Sequence, residues 1–233
     1  MSSAERSAEI KTRRFYGRRK GPALTARRQA LLDDLLPRLA IDAGAARLDP
    51  DTLFDPPPAQ IWLEIGFGKG EHLAWQAERN PDIGLLGCEP FLNGVAGLLA
   101  DIDARGLRNV RIWPDDARDL LDRLPDGSID RLFLLHPDPW PKTRHASRRF
   151  IQPDNLDALA RVLKPGAAVR IATDDPVFRQ WTLVHMAQRR DFAWSATRPA
   201  DWRTPPADWI ETRYARKAQA EGRAPVYLIY HRC

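Results

Sequence analysis

Asp138 and Trp140 follow an apolar run, Leu132 to Leu135, and are fenced by Pro137, Pro139 and Pro141. Proline ends a strand and removes backbone freedom, so one carboxylate and one indole are held stiffly at a strand tip. Lys142, Arg144, Arg148 and Arg149 come next, with no acid among them. An acid and an aromatic beside a group of phosphate-binding charges is what acting on a nucleic-acid base requires. The same stretch also fits a proline-rich turn running into a solvated charged loop, and the residues upstream decide between the two.

Upstream, IWLEIGFGKGEHLAW reads as a strand, a turn built on Gly66, Gly68 and Gly70, and a helix start. Glycines let backbone approach a ligand closely, and the helix start offers free N–H groups. The dinucleotide fingerprint G-x-G-x-x-G is not met, because position 71 is Glu; Glu64 and Glu71 would also repel a pyrophosphate. Lys69 lacks the spacing of a phosphate-binding P-loop. S-adenosylmethionine carries an ammonium and a sulfonium and no phosphate, so acids suit it. Glu89 ends the next strand, where a carboxylate can take two ribose hydroxyls. Asp115 and Asp116 end the third, placed to meet an adenine amine; Asp116 is the choice, with Asp115 as a helix cap. Three strand ends thus bring acids to one sheet edge, with Asp174 as a further acid after VRIAT.

Those positions depend on an alternating frame. IWLEI, IGLLGCE, VRIW, IDRLFLL and AAVRIA read as strands, interleaved with helices over 70–79, 91–105, 117–123, 153–163 and 175–190. That order predicts a mostly parallel sheet with helices on both faces and right-handed crossovers. FAWSAT (192–197) and PVYLIYH (225–231) predict two late strands adding antiparallel at an edge, with a helix over 210–220 between them. Leucines 31, 32, 35, 36 and 39 predict a helix before the sheet, kinked or stopped by Pro37. Residues 1–25 read as a flexible basic arm and 26–233 as one domain.

Charge sharpens this picture. Residues 1–30 carry 9 Lys/Arg against 2 Asp/Glu, residues 31–141 carry 10 against 20, and residues 142–233 carry 17 against 9. An acidic half between two basic segments suggests a small cationic ligand and a polyanion, although single-sign blocks also serve solubility. Two cysteines, Cys88 and Cys233, are too few for a disulfide framework and have no metal-ligand spacing, so no metal is expected. No stretch is long and apolar enough for a membrane span, and the basic start has no apolar core of a secretory signal. The expectation is a cytoplasmic protein with no membrane contact and no obligate protein partner.

These blocks together resemble the bacterial tRNA (guanine-N7-)-methyltransferases. EIGFGKGEHL (64–73), CEPF (88–91), DDA (115–117), HPDPWPKTRH (136–145), RRF (148–150) and ATDD (172–175) look like that family's motifs in order. RRFYGRRKG (13–21) and TRYARK (212–217) extend the likeness over nearly the whole chain. The resemblance implies an α/β fold, the Rossmann-like seven-stranded sheet of S-adenosylmethionine-dependent methyltransferases. It implies methylation of a tRNA guanosine in the variable loop, at position 46. Cofactor roles fall to Glu64, Glu89, Asp116 and Asp138, beside Gly66 and Gly68. Substrate roles fall to Lys142, Asp174, Thr212, Arg213, Tyr214 and Ala215. One position departs: the family's late motif usually runs Thr-Lys-aromatic-Glu, and Ala215 here removes that acid, so its contact is lost or supplied elsewhere.

Guanine N7 offers an unprotonated lone pair, so no general base is needed and catalysis rests on positioning. The ring becomes cationic as it is methylated, and a carboxylate beside it stabilises the transition state. Asp138 is the candidate for that catalytic role, with Asp174 second; Trp140 is either a stacking wall or a core residue, and His136 is structural. Lys142, Arg144, Arg148 and Arg149 grip phosphates, and Arg13, Arg14, Arg18, Arg19 and Lys20 grip farther along. Three rival readings remain. An amino-methyltransferase acting on an exocyclic amine uses a related acid-Pro-Pro-aromatic tip; Asp138-Pro139-Trp140 lacks the second proline. A non-catalytic RNA-binding protein would not require the acids, and a nicotinamide dehydrogenase needs other glycine spacing.

Overall fold

Strands that are apolar on both faces must be covered on both, which is the condition for a parallel sheet sandwiched between helices. A computed structural model, which describes residues 15–42, 44 and 47–233, has that architecture. Helices α1 (Ala26–Asp34) and α2 (Leu36–Leu39) come first. The alternating part is β1 (Gln60–Ile65), α3 (Glu71–Arg79), β2 (Ile83–Cys88), α4 (Leu92–Arg105), β3 (Val110–Trp113) and α5 (Ala117–Arg123). It continues through β4 (Ile129–Leu135), α6 (Pro153–Val162), β5 (Leu163–Thr173) and α7 (Pro176–Ala187). The chain ends with β6 (Phe192–Trp194), α8 (Ala200–Arg203), α9 (Arg213–Ala220) and β7 (Val226–Arg232).

The sheet order is β3-β2-β1-β4-β5-β7-β6. The first five strands are mutually parallel, and β7 runs antiparallel to both β5 and β6. The chain starts in the middle at β1, builds out to β3, and returns to β4 on the other side. Loops leaving β1 and β4 therefore diverge and open a crevice at the strands' C-terminal ends. The break expected near Pro37 falls at Leu35, between α1 and α2.

On one face Ile61, Leu63, Leu132, Leu134, Val169 and Ile171 pack with Leu120, Leu159, Phe178 and Met186 from α5, α6 and α7. Each fully buried side chain of this size contributes about 1.5–3 kcal/mol relative to exposure, enough to hold local strain elsewhere. On the other face Leu85, Val110 and Ile112 lie under Leu73, Val95 and Leu98 of α3 and α4, with the α1 and α2 leucines packed outside. Farther along that face Trp62, Phe133, Leu135, Ala172 and Tyr227 form a separate cluster, against which Trp209 packs from a coil. Among the described residues no helix is long and apolar enough to cross a membrane.

Residues 15–25, which the sequence assigns to a flexible arm, are fastened to α4. The Leu92 N–H donates to the Arg19 carbonyl (3.0 Å), the Gly21 N–H to Asn93 Oδ1 (2.7 Å), and Asn93 Nδ2 to the Pro22 carbonyl (2.7 Å). Arg13 and Arg14 lie outside the described residues.

Candidate active site

β1 carries Glu64 into the interior, and the chain then turns through Gly66, Gly68 and Gly70 at φ of 73°, 59° and 81°. Side chains rarely adopt that left-handed region, so the turn is restricted to glycine. The outer side of Gly66 is open: a Cβ placed there would meet nothing within 4 Å. Glu89, at the end of β2, holds the turn by accepting the N–H groups of Gly68 (2.8 Å) and Phe91 (3.0 Å). Burial raises its carboxyl above the ordinary range against the pull of those amides, and the charges of Asp138 and Glu64 raise it further. Gly94 of α4 lies so close that a Cβ there would stand 2.1 Å from the Gly68 carbonyl oxygen.

Asp116 caps α5, accepting the Arg118 N–H (3.0 Å), and its carboxylate also takes the Arg118 guanidinium (3.0 and 2.5 Å). The cap is therefore Asp116 and not Asp115. Asp115 accepts the Asp116 N–H (2.8 Å) and pairs with Arg19 of the arm (2.8 Å). Glu64, Glu89 and Asp116 thus stand at the ends of β1, β2 and β3, with Glu89 bonded to the glycine turn, a set of acceptors that suits a cationic, phosphate-free ligand such as S-adenosylmethionine.

Across the crevice β4 ends at Leu135, and two non-glycine residues take left-handed backbone: His136 (φ 48°) and Trp140 (φ 43°). The His136 N–H donates to the Ala172 carbonyl (2.8 Å) and its Nδ1 contacts Asp174 Oδ1 (3.1 Å). Burial and the nearby Arg223 push the imidazole down to about 4, so it is neutral at physiological pH and donates to Asp174. The other Asp174 oxygen is paired with Arg223. Asp138 sits between the two strained residues with its side chain exposed.

The four cations after the tip do not behave alike. Lys142 and Arg144 are exposed, and Arg148 lies over both the Tyr16 ring (4.7 Å) and the Trp140 ring (4.9 Å). Arg149 departs from the phosphate-gripping group: it is 5% exposed, with Nε donating to the Pro139 carbonyl (3.1 Å) and Nη2 to that of Trp140 (2.9 Å). Trp140 itself is half-buried, its ring edge-on to His145 at 5.8 Å.

The late motif also turns partly inward. Thr212 caps α9 by accepting the Ala215 N–H (3.3 Å), and Ala215 is buried. The Arg213 N–H donates to Glu71 Oε2 (2.7 Å), so the carboxylate at the head of α9 comes from α3 while the Arg213 side chain stays exposed. Tyr214 occupies the first turn of that helix.

Four residues that sequence reasoning passes over complete the frame. His72 Nδ1 bonds Glu64 Oε2 (2.7 Å), Gln76 Nε2 reaches His72 Nε2 (3.2 Å), and the same amide reaches the Asp208 carbonyl (3.2 Å). Asp208 then pairs with Arg170 (2.7 Å) and Arg131 (3.3 Å). Burial pushes its carboxyl up, but the two arginines outweigh burial and hold it below the usual range. Trp209 packs against His72 (5.4 Å) and Tyr227 (5.0 Å). A signal for two of these does exist in the sequence: His72 and Gln76 are polar residues four apart on the buried face of α3.

Known proteins resemble this chain in sequence and in fold. The family model described as "putative methyltransferase" matches residues 58–228. A tRNA (guanine-N(7)-)-methyltransferase from Rhodospirillum rubrum is 54% identical, covering 94% of this chain and 88% of its own length. Its counterpart from Paramagnetospirillum magneticum is 52% identical, covering 94% and 92%. Among solved structures, the 16S rRNA methyltransferase KamB superposes with a TM-score of 0.55 at 18% identity, over 76% of this chain and 89% of that one. A 16S rRNA (adenine(1408)-N(1))-methyltransferase from Catenulisporales acidiphilia, solved with its cosubstrate S-adenosylmethionine, gives 0.53 at 19% identity over 79% and 92%. At those identities the structures share the fold, whereas the two relatives are more than half identical over 94% of this chain: this chain belongs to the tRNA (guanine-N7-)-methyltransferase family.

Proposed function

We infer that the chain transfers the methyl group of S-adenosylmethionine to N7 of a tRNA guanosine, the one at position 46 in the variable loop. The observation that carries this is the placement of Asp138. It stands exposed just beyond the end of β4, the strand beside β1, near enough to Glu89 for its charge to raise that carboxyl.

S-adenosylmethionine brings, when bound, a methyl group already made electrophilic by its sulfonium. The chain's own work is binding and orientation. Glu89 takes the ribose hydroxyls, Asp116 the adenine amine, and Glu64, fixed by His72, favours the ligand's positive charge; Gly66 and Gly68 let backbone lie close. On the other side Asp138 meets the guanine. Its charge favours the ring that becomes cationic on methylation, and its oxygens can accept the N1–H and exocyclic amine. Trp140, kept edge-on by His145 and under Arg148, forms one wall of the base site. Lys142, Arg144 and Arg148 meet tRNA phosphates, while Asp174 and the Thr212–Ala215 turn line the rim. The polyanion is tRNA, and no obligate protein partner is proposed.

The test is methyl transfer from labelled S-adenosylmethionine to unmodified tRNA, followed by nucleoside analysis. 7-Methylguanosine is expected, and replacing guanosine 46 in the transcript should abolish it. Methyl on an adenine amine would restore the amino-methyltransferase reading, and transfer that survives the replacement would move the target.

A further inference from the structure

Among the described residues nothing hydrogen-bonds the Asp138 carboxylate. Its position is set by the backbone on either side. Pro137 and Pro139 supply no N–H, so the tip cannot tie itself down through those groups. His136 and Trp140 both hold left-handed backbone, a conformation costing side-chain-bearing residues about 1–2 kcal/mol each unless neighbours impose it. On the strand side the imposing contacts are the Ala172 carbonyl and Asp174. On the far side they are the two bonds from Arg149 to the carbonyls of Pro139 and Trp140.

We propose that Arg149 is a positioning residue for the reaction, fixing the Asp138 carboxylate by clamping the two peptide carbonyls that follow it. The proposal rests on Asp138 being the acid that meets the target base. The guanidinium suits that work: its planar fork reaches both carbonyls at once, and its face lies 4.4 Å from the Trp181 ring centroid. Trp181 is itself anchored, donating from Nε1 to the Ile151 carbonyl (2.6 Å) and stacking on His185 (3.9 Å). The clamp is thus backed by a chain of contacts running into α7. With 5% of its surface exposed, Arg149 has no room for a phosphate, unlike Lys142 and Arg144 beside it. A displacement of about 1 Å at a reacting group costs about 100-fold in rate, so loosening this clamp reaches the chemistry without touching either substrate.

Two variants separate the clamp from a charge contact. Arg149→Gln is neutral and can donate to one carbonyl; Arg149→Lys keeps the charge and loses the fork. Both should show cooperative melting, unchanged S-adenosylmethionine affinity, and unchanged tRNA affinity and salt slope. Their single-turnover rates should fall about 10–100-fold, with Lys no better than Gln. In an Asp138→Asn background, Arg149→Gln should cost little more, because the carboxylate it positions is gone. A salt slope reduced by about one and restored by Lys would make Arg149 a phosphate contact and overturn the proposal. So would wild-type rates, additive losses in the double variant, or loss of cooperative melting in both variants, which marks a purely structural role. Near-wild-type turnover in Asp138→Asn alone sinks the reading of Asp138 beneath it. A dead Asp138→Asn beside fully active Arg149 variants sinks only the clamp.

Discussion

The glycine-turn side of the crevice and the Asp138 side are built in opposite ways. On the first, every acid is already bonded: Glu64 to His72, Glu89 to two amides, Asp116 to its own helix and Arg118. On the second, the acid assigned to the base stands exposed, and order is invested in the backbone that carries it. A small ligand of fixed shape rewards a preformed cradle. A polymer that must be threaded in rewards an open mouth with one rigid point. Under the proposed function, the contrast assigns binding strength to the β1–β3 side and rate to the β4–β5 side.

That division can be broken at its strongest point. Asp138→Ala should lower turnover about 1,000-fold or more while S-adenosylmethionine affinity, measured calorimetrically, falls far less, by the one cofactor contact that the resemblance implies for this acid. A parallel loss of cofactor affinity would show that the two sides are one site. The backbone order behind Asp138 should show itself in acid. His136 sits at about 4 when folded against an ordinary 6.5, because of burial and Arg223, so the unfolded chain binds the extra proton between those values. Its contribution is complete above pH 6.5 and lost as pH falls to 4, up to about 3 kcal/mol for a shift of that size. Denaturant titrations at pH 7 and pH 5 should show the drop, and His136→Asn should flatten it.

Gly94→Ala tests the other side. Its methyl group would displace the Gly68 carbonyl, and S-adenosylmethionine affinity should weaken about 10–100-fold with tRNA affinity untouched; an unaffected cradle would mean that the turn is not preformed. The smallest effect expected is Arg144→Ala. It should weaken tRNA binding roughly 5-fold and reduce the salt slope by about one, leaving cofactor binding alone.

The strand ends were legible because alternation and turn chemistry are local. IWLEI followed by three glycines, or IDRLFLL followed by prolines, fixes both an element and where it stops. Even the two late antiparallel strands follow from their spacing. What stayed hidden was long-range. Nothing in RHASRR distinguishes the one arginine that turns inward, because the carbonyls that hold Arg149 lie in an earlier turn and its ring platform in a later helix. Asp208 and Trp209 sit in a coil after two prolines without periodicity, and the Asp208 partners Arg131 and Arg170 lie 77 and 38 residues away. The cap at Asp116 was misplaced by one residue, since two adjacent acids offer the same chemistry and only backbone geometry separates them.

The coil that covers β4, β5 and β7 has a practical consequence for anyone re-engineering this enzyme. Where a helix roofs a sheet, a swapped segment must preserve a helical register; a coil carries no such constraint, and its length is negotiable. It is nonetheless moored at three points: the Asp208 carbonyl to Gln76, the Asp208 carboxylate to Arg131 and Arg170, and the Arg213 amide to Glu71. A graft intended to redirect the enzyme to another RNA can therefore vary the residues between these moorings. It must keep Asp208 and a free amide at position 213, or the glycine turn loses its distant support along with the roof.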